Sequence, residues 1–223
     1  MATIREINLN TPVLATSNPV EEAALENIKE LFGTESFFTN EYVVPDTDTD
    51  NMAIDVLVSD REDDTIILST FGAGSLNTNG TATIDDTENI PYRTEFYAIA
   101  GGPAEIVIVG EVLAKLAFIV SKNEQAFFPG MVLTGVAPTT QDNLTHMLLS
   151  PMPIGIREST KVAPVQAGTD FAIFWINATP ITEIEAELIK EGPDGYKTFE
   201  NFMISLGYEA YSLSRETYKV EAE

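Results

Sequence analysis

Ile54-Asp-Val-Leu-Val58, a charged turn, and Ile66-Ile-Leu-Ser-Thr-Phe-Gly-Ala-Gly-Ser75 form the stretch that decides the fold. Ile54, Val56 and Val58 alternate with Asp55, Leu57 and Ser59. That is the two-residue period of a strand, whose successive side chains point to opposite faces. Asp60 to Asp64 make a charged turn. Ile66 to Phe71 has little polar interruption, which a strand tolerates when both faces are covered, so it predicts a central strand. Gly72 to Thr83 is rich in Gly, Ser, Asn and Thr and predicts a long loop, with Asn79-Gly80 a type I′ turn candidate inside it.

Toward the N-terminus, Ser36 to Val44 is aromatic and β-branched, ends at Pro45 and reads as a strand. Pro45 to Asn51 is an acidic turn. Upstream of it, Asn18 as N-cap, Pro19 at the first helical position and Glu21 closing a capping box predict a helix over 19–32. Its apolar stripe is Val20, Ala24, Leu25, Ile28, Leu31 and Phe32, and Gly33 supplies the left-handed stop.

Toward the C-terminus, Tyr92–Ala100 and Ala104–Val109 read as strands broken at Gly101-Gly102-Pro103. Glu111 to Lys122 reads as a helix, apolar nearly all round and therefore buried on several sides. Its Glu111 and Lys122 suit the two ends of the helix dipole. Met131–Val136, Met147–Leu149 and Phe171–Ile176, the last with Trp175, are further strands. Helical periodicity returns at Ile181, breaks at Gly192–Gly195, and resumes from Tyr196 to Leu206, where Gly207 stops it. The segment after Tyr208 is polar and expected to be weakly held. Strands and helices in this order predict an α+β fold, a mixed or antiparallel sheet packed against helices. The chain divides into an N-terminal extension (1–16), one domain (17–207) and a polar C-terminal tail (208–223).

Net charge is −23, from 35 acidic and 12 basic residues. Such a chain repels phosphates, which argues against nucleic acid or an anionic membrane as partner. There is no cysteine. Disulfides, thiolate metal sites and a cysteine nucleophile are thereby excluded, and the composition fits the cytoplasm. The N-terminus lacks the basic and apolar stretches of a secretory signal. No segment approaches the roughly 20 apolar residues that span a bilayer.

Catalytic motifs are sparse. His146 is the single histidine and lies between Thr145 and Met147, with no G-x-S-x-G in the chain. Asp46, Asp48 and Asp50 open like an EF-hand loop, but its sixth and twelfth positions hold Asn51 and Leu57. Gly72-Ala-Gly-Ser lacks the third glycine of a dinucleotide loop and the G-K-[ST] of a phosphate loop. No cofactor is expected. The acidic turns stand out instead: Asp46, Asp48, Asp50, Asp60, Glu62, Asp63, Asp64, Asp85, Asp86 and Glu88 form a candidate partner-binding set, opposed in that stretch only by Arg61. They form either a solvated rim or an electrostatic docking face for a basic protein.

Ile54-Asp-Val-Leu-Val followed by Ile66-Ile-Leu-Ser-Thr-Phe-Gly-Ala-Gly-Ser resembles the suppressor of fused-like domain of bacteria. There an I-D strand precedes a strand ending in a T-x-G-small-S turn. Ala104-Glu-Ile-Val-Ile-Val is similar to the family's A-E-L strand. Ala172-Ile-Phe-Trp-Ile-Asn-Ala-Thr-Pro-Ile-Thr-Glu-Ile-Glu resembles its late strand and the helix start after it, and Gly195 to Leu206 its closing helix. Phe127-Phe-Pro-Gly-Met-Val departs from the G-H-T-I-like turn found after the central helix. The resemblance covers about residues 20–206. It implies an α+β fold, no enzymatic activity and a protein partner. Animal members bind transcription factors, and many bacterial members resemble immunity proteins that neutralise polymorphic toxins. The expected function is therefore cytoplasmic neutralisation of a basic toxin by occlusion. The alternatives are a regulatory module that binds a peptide by strand addition, or a metal-dependent carboxylate enzyme.

Overall fold

A computed structural model of the chain describes residues 3–8, 24–29, 37–45, 52–59, 66–84, 87–137, 144–151, 153, 165–166 and 171–219. Its strands are β1 (Thr3–Asn8), β2 (Phe37–Val44), β3 (Met52–Ser59), β4 (Ile66–Phe71), β5 (Thr81–Ile84), β6 (Thr87–Ala100), β7 (Val132–Leu133), β8 (His146–Ser150), β9 (Val165–Gln166) and β10 (Ala172–Ile181). The helices are α1 (24–29), α2 (Ile106–Asn123), α3 (Glu183–Lys190) and α4 (Pro193–Leu206).

One sheet runs β1-β2-β3-β4-β6-β10-β8-β7, with β5 added to β6 and β9 to β10. Neighbours are antiparallel except β10, which runs parallel to β6 from Ala172↔Tyr92 to Asn177↔Tyr97. The fold is thus α+β with a mixed sheet. β4 sits in its interior, as its uninterrupted apolar run demands.

The alternation predicted for β3 sorts its residues between two cores. Ile54, Val56 and Val58 face one, with Phe96 and Ala98 of β6 and Val109, Val112, Leu113, Leu116, Ala117 and Val120 of α2. Leu57 faces the other, with Tyr97, Trp175, Ala24 and Ile28 of α1, Ala186 of α3, and Phe199 and Met203 of α4. The sheet is therefore covered by α2 on one side and by α1, α3 and α4 on the other. Burying each large side chain contributes about 1.5–3 kcal/mol. Gly110 lets α2 approach β2 closely: a Cβ there would lie 2.1 Å from Tyr42 Oη.

Several expectations are corrected. Ala104–Val109 is not a strand: Pro103–Glu105 form a 3-10 turn and α2 begins at Ile106. Its β-branched residues favour strand locally, but buried positions 109, 112, 113, 116, 117 and 120 form one continuous helical stripe over the sheet, and that packing overrides propensity. Glu111 consequently lies beyond the first helical turn, which holds no acid, whereas Lys122 is in the last. Asn79-Gly80 is not a type I′ turn, since neither residue has positive φ. Thr81–Thr83, read as loop, belong to β5. β7 is only two residues long, because the chain turns after Leu133. A strand, β1, lies within the N-terminal extension. Of the helix expected at 19–32, 24–29 is helical and the remainder lies outside the described residues.

Candidate functional site

Among the described residues, charged side chains are buried at two places, at Glu95 and at the Glu185–Arg215 pair. Arg93 and Glu95 are two apart on β6 and so share one face of the strand. Glu95 is 1% exposed. Its Oε1 accepts the N–H of Gly72 at 3.0 Å and of Gly74 at 2.7 Å, and its Oε2 accepts Thr70 Oγ1 at 2.5 Å. Gly72 has φ +96°, and a Cβ on Gly74 would meet Ile173 Cδ1 at 2.9 Å, so both glycines are needed for the loop to close on the carboxylate. Arg93 holds the other polarity of the same loop. It donates to Ser75 O at 2.6 Å and Asn77 Oδ1 at 2.8 Å, with its guanidinium 4.0 Å from the Phe171 ring centroid. A carboxylate on the amides and a guanidinium on the carbonyls fix residues 72–77 as a rigid rim, from which Ser75 and Asn77 are exposed.

Burial pushes the Glu95 carboxyl up to about 7, against the pull of the Thr70 hydroxyl and the N–H groups of Gly74, Gly72 and Ala73. Both of its oxygens are taken up by the loop. It therefore organises residues 72–77 rather than presenting a reactive group to solvent.

The second place is the start of α3. Thr182 and Glu185 make a reciprocal capping box. Glu185 also receives Arg215 on both oxygens, at 2.8 and 2.6 Å, and the Tyr218 N–H at 3.0 Å. Both ionic side chains are essentially buried, at 1% and 0% exposure. Burial alone would raise the Glu185 carboxyl, but the hydrogen bonds and charge of Arg215, with Tyr218 and Thr182, hold it below its ordinary range. The segment after Tyr208, expected to be weakly held, is thus clasped to the body, with Ala210, Tyr211 and Arg215 buried.

Asp46, Asp48, Asp50, Asp60, Glu62, Asp63, Asp64, Asp85 and Asp86 lie outside the described residues; of Glu88, the backbone is described, as part of β6. Strand directions nevertheless place the ends of the flanking strands. Val44↔Met52 and Ile84↔Thr87 lie toward one end of the sheet, whereas Ser59 and Ile66, which pairs with Ala100, lie at the other. The end of β2, the start of β3 and the β5–β6 pairing therefore lie where β4 enters the 72–77 rim, and the end of β3 and start of β4 at the opposite end. His146 begins β8 and bonds the Thr145 hydroxyl at 2.6 Å. Among the described residues no cluster of three or more His, Cys, Asp or Glu is placed to share a metal ion. No helix among them is long and apolar enough to cross a membrane.

Thr70, Gly72 and Gly74 of the first place and Thr182 and Glu185 of the second lie in stretches that carry the family resemblance, whereas Arg93, Glu95 and Arg215 lie in none of them. Two signals were present: the charged pair Arg93-x-Glu95 directly before the run Phe96–Ala100, and Thr182-x-x-Glu185, the capping-box spacing.

No curated protein sequence matches the chain significantly. Among solved structures, a suppressor of fused homologue from Neisseria gonorrhoeae is similar, with TM-score 0.57 and 14% identity over 91% of this chain and 98% of that one. Drosophila Suppressor of Fused gives TM-score 0.56 and 10% identity over 89% of this chain; the chain spans about half of that protein, 51%. A Sufu–Fu complex structure gives TM-score 0.50 and 9% identity over 88% and 90% of the two chains. At these identities the structures establish a shared fold. The sequence evidence comes from the family model of Suppressor of fused protein, which matches residues 50–216, from the acidic turn before β3 through Arg215 to Glu216. Because that match takes in both buried-charge sites and well over half of the chain, the protein belongs to the suppressor of fused family.

Proposed function

We infer that this chain is a non-enzymatic protein-binding domain that acts in the cytoplasm and neutralises a basic protein of the polymorphic-toxin kind by occlusion. The observation that carries this reading is membership of the suppressor of fused family. One solved neighbour is a Sufu–Fu complex, which supports a protein as the ligand class. The net charge of −23 supports a basic one. The docking end is the one where β2 ends, β3 and β6 begin and β4 enters the 72–77 rim. Asp46, Asp48, Asp50, Asp85, Asp86 and Glu88 steer the partner there, and the rim supplies a surface that does not have to be ordered on binding. Asp60, Glu62, Asp63 and Asp64 add only to the long-range field.

The test is capture of the partner from the source cell, followed by stopped-flow association and assay of the partner's own activity. Association should slow about tenfold or more between 50 and 300 mM salt. It should slow similarly when the six acids are changed to Asn or Gln, and the captured protein should lose its activity in the complex. A rate indifferent to salt would count against electrostatic docking.

A second reading, peptide recognition by strand addition, is favoured by one observation: among the described residues the sheet ends on β1, paired only with β2. Under it, neutralising the six acids leaves affinity unchanged.

A further inference from the structure

Residues 212–219 cross the end of the sheet opposite the 72–77 rim, held by two carboxylates and by little regular structure. Glu105, just before α2, accepts Ser212 Oγ and Leu213 N, both at 2.9 Å. Glu185, in the first turn of α3, accepts Arg215 and Tyr218 N. The backbone N–H groups of Ser212 and Arg215 bond within the segment's own neighbourhood, to Glu209 and Ser212 carbonyls. Between the two anchors, Leu213 helps line an apolar crevice with Val109, Val112, Leu144, Met147 and Pro180.

We propose that the apolar wall against Leu213, with Glu185 beyond Pro180, is a binding site for an extended peptide carrying an aliphatic side chain and, two residues on, an arginine, and that residues 213–215 cover it as an internal pseudo-ligand. The wall offers only apolar contact, which selects an aliphatic group. Glu185 offers two parallel acceptors at 2.8 and 2.6 Å, and the Pro180 carbonyl takes a third guanidinium hydrogen at 3.1 Å. That planar set fits arginine and not the single ammonium of lysine. Because side-chain contacts and two carboxylates hold the segment, and no strand pairing does, a peptide with the same two side chains can take its place. The chain's charge of −23 favours the approach of an arginine-bearing one. This site is at the other end of the sheet from the acidic docking end, so it stands or falls independently of that reading.

The experiment uses the full chain with Leu213→Ala and Arg215→Ala together, which removes from the site the two side chains that the peptide would supply and leaves the segment its bonds to Glu105 and the bond of the Tyr218 N–H to Glu185. The probe is a fluorescein-labelled synthetic peptide with the sequence of residues 209–219, read by anisotropy. The variant should bind it, and the unaltered chain, whose own segment competes, at least tenfold more weakly. Lysine in place of the peptide's arginine should weaken binding at least tenfold, and adding Glu185→Gln should abolish it. No binding to the folded variant, equal binding to both proteins, or indifference to lysine overturns the proposal. Amide hydrogen exchange on the unaltered chain decides the matter if the variant does not fold. Exchange at Leu213 and Tyr218 faster than at Leu116 in α2 supports a displaceable segment, and exchange in step with Leu116 overturns it.

Discussion

Changing Glu95 to Gln keeps the shape of the side chain and removes its proton chemistry. The amide oxygen can go on accepting from Gly72 and Gly74, while the amide nitrogen turns to Thr70 Oγ1, whose hydrogen swings to Phe96 O at 3.3 Å. The loop should therefore stay closed. What changes is the pH dependence of stability. Glu95 has its carboxyl raised from 4.5 to about 7 in the folded protein. Between those values the folded state keeps a proton that the unfolded chain releases, so this group's stabilisation is complete below pH 4.5 and is lost as pH rises through 7. Proton linkage integrated from pH 5 to pH 8 gives a loss of about 2–3 kcal/mol, absent from the Gln variant. Every other titratable group is common to both proteins and cancels in the difference. Urea unfolding followed by Trp175, the single tryptophan and 3% exposed, measures that difference at each pH. The unaltered protein should lose about 2–3 kcal/mol relative to the variant across the range. A difference that stays flat, or grows with pH, would falsify the assignment of Glu95 as a buried, proton-retaining carboxyl.

Arg215→Ala leaves Glu185 buried without its counter-charge and should cost about 3–5 kcal/mol in the same assay. Because the Glu185 carboxyl is held below its ordinary range, its contribution is present above that range and lost as the pH falls below it. Glu185→Gln should correspondingly flatten the acid limb of the stability profile. Gly110→Ala should destabilise by about 1–3 kcal/mol in thermal unfolding, since the new methyl meets Tyr42 Oη at 2.1 Å and α2 must back away from β2.

The β2–β3–β4 meander was legible because each strand carries its own period and turn chemistry, so 54–75 could be placed without reference to the rest. Ala104–Val109 was misread because its β-branched residues describe local preference, while the stripe that makes it helical extends to Val120. β5 was hidden because Thr81-Ala-Thr83 continues a run of Gly, Ser, Asn and Thr that suits a loop as well as the start of a short outer strand. The two buried-charge sites were less accessible still. Arg215 is one base in a polar string, and its partner stands thirty positions earlier; only the fold brings them together. Charge counting gathers ten acids into one candidate set, of which the described residues include only the backbone of Glu88.

The one parallel contact in the sheet sets an order of events during synthesis. Tyr92 to Tyr97 must wait for Ala172 to Asn177, eighty positions downstream. At about 5–20 residues per second the ribosome needs roughly 4–16 s to deliver them. Through that interval the nascent meander has one long unsatisfied flank, with Phe96 and Tyr97 on it. α2 emerges early enough to shield one side, but not the flank itself. A chaperone that engages this protein should meet it there, after residue 123 has left the exit tunnel and before β10 has.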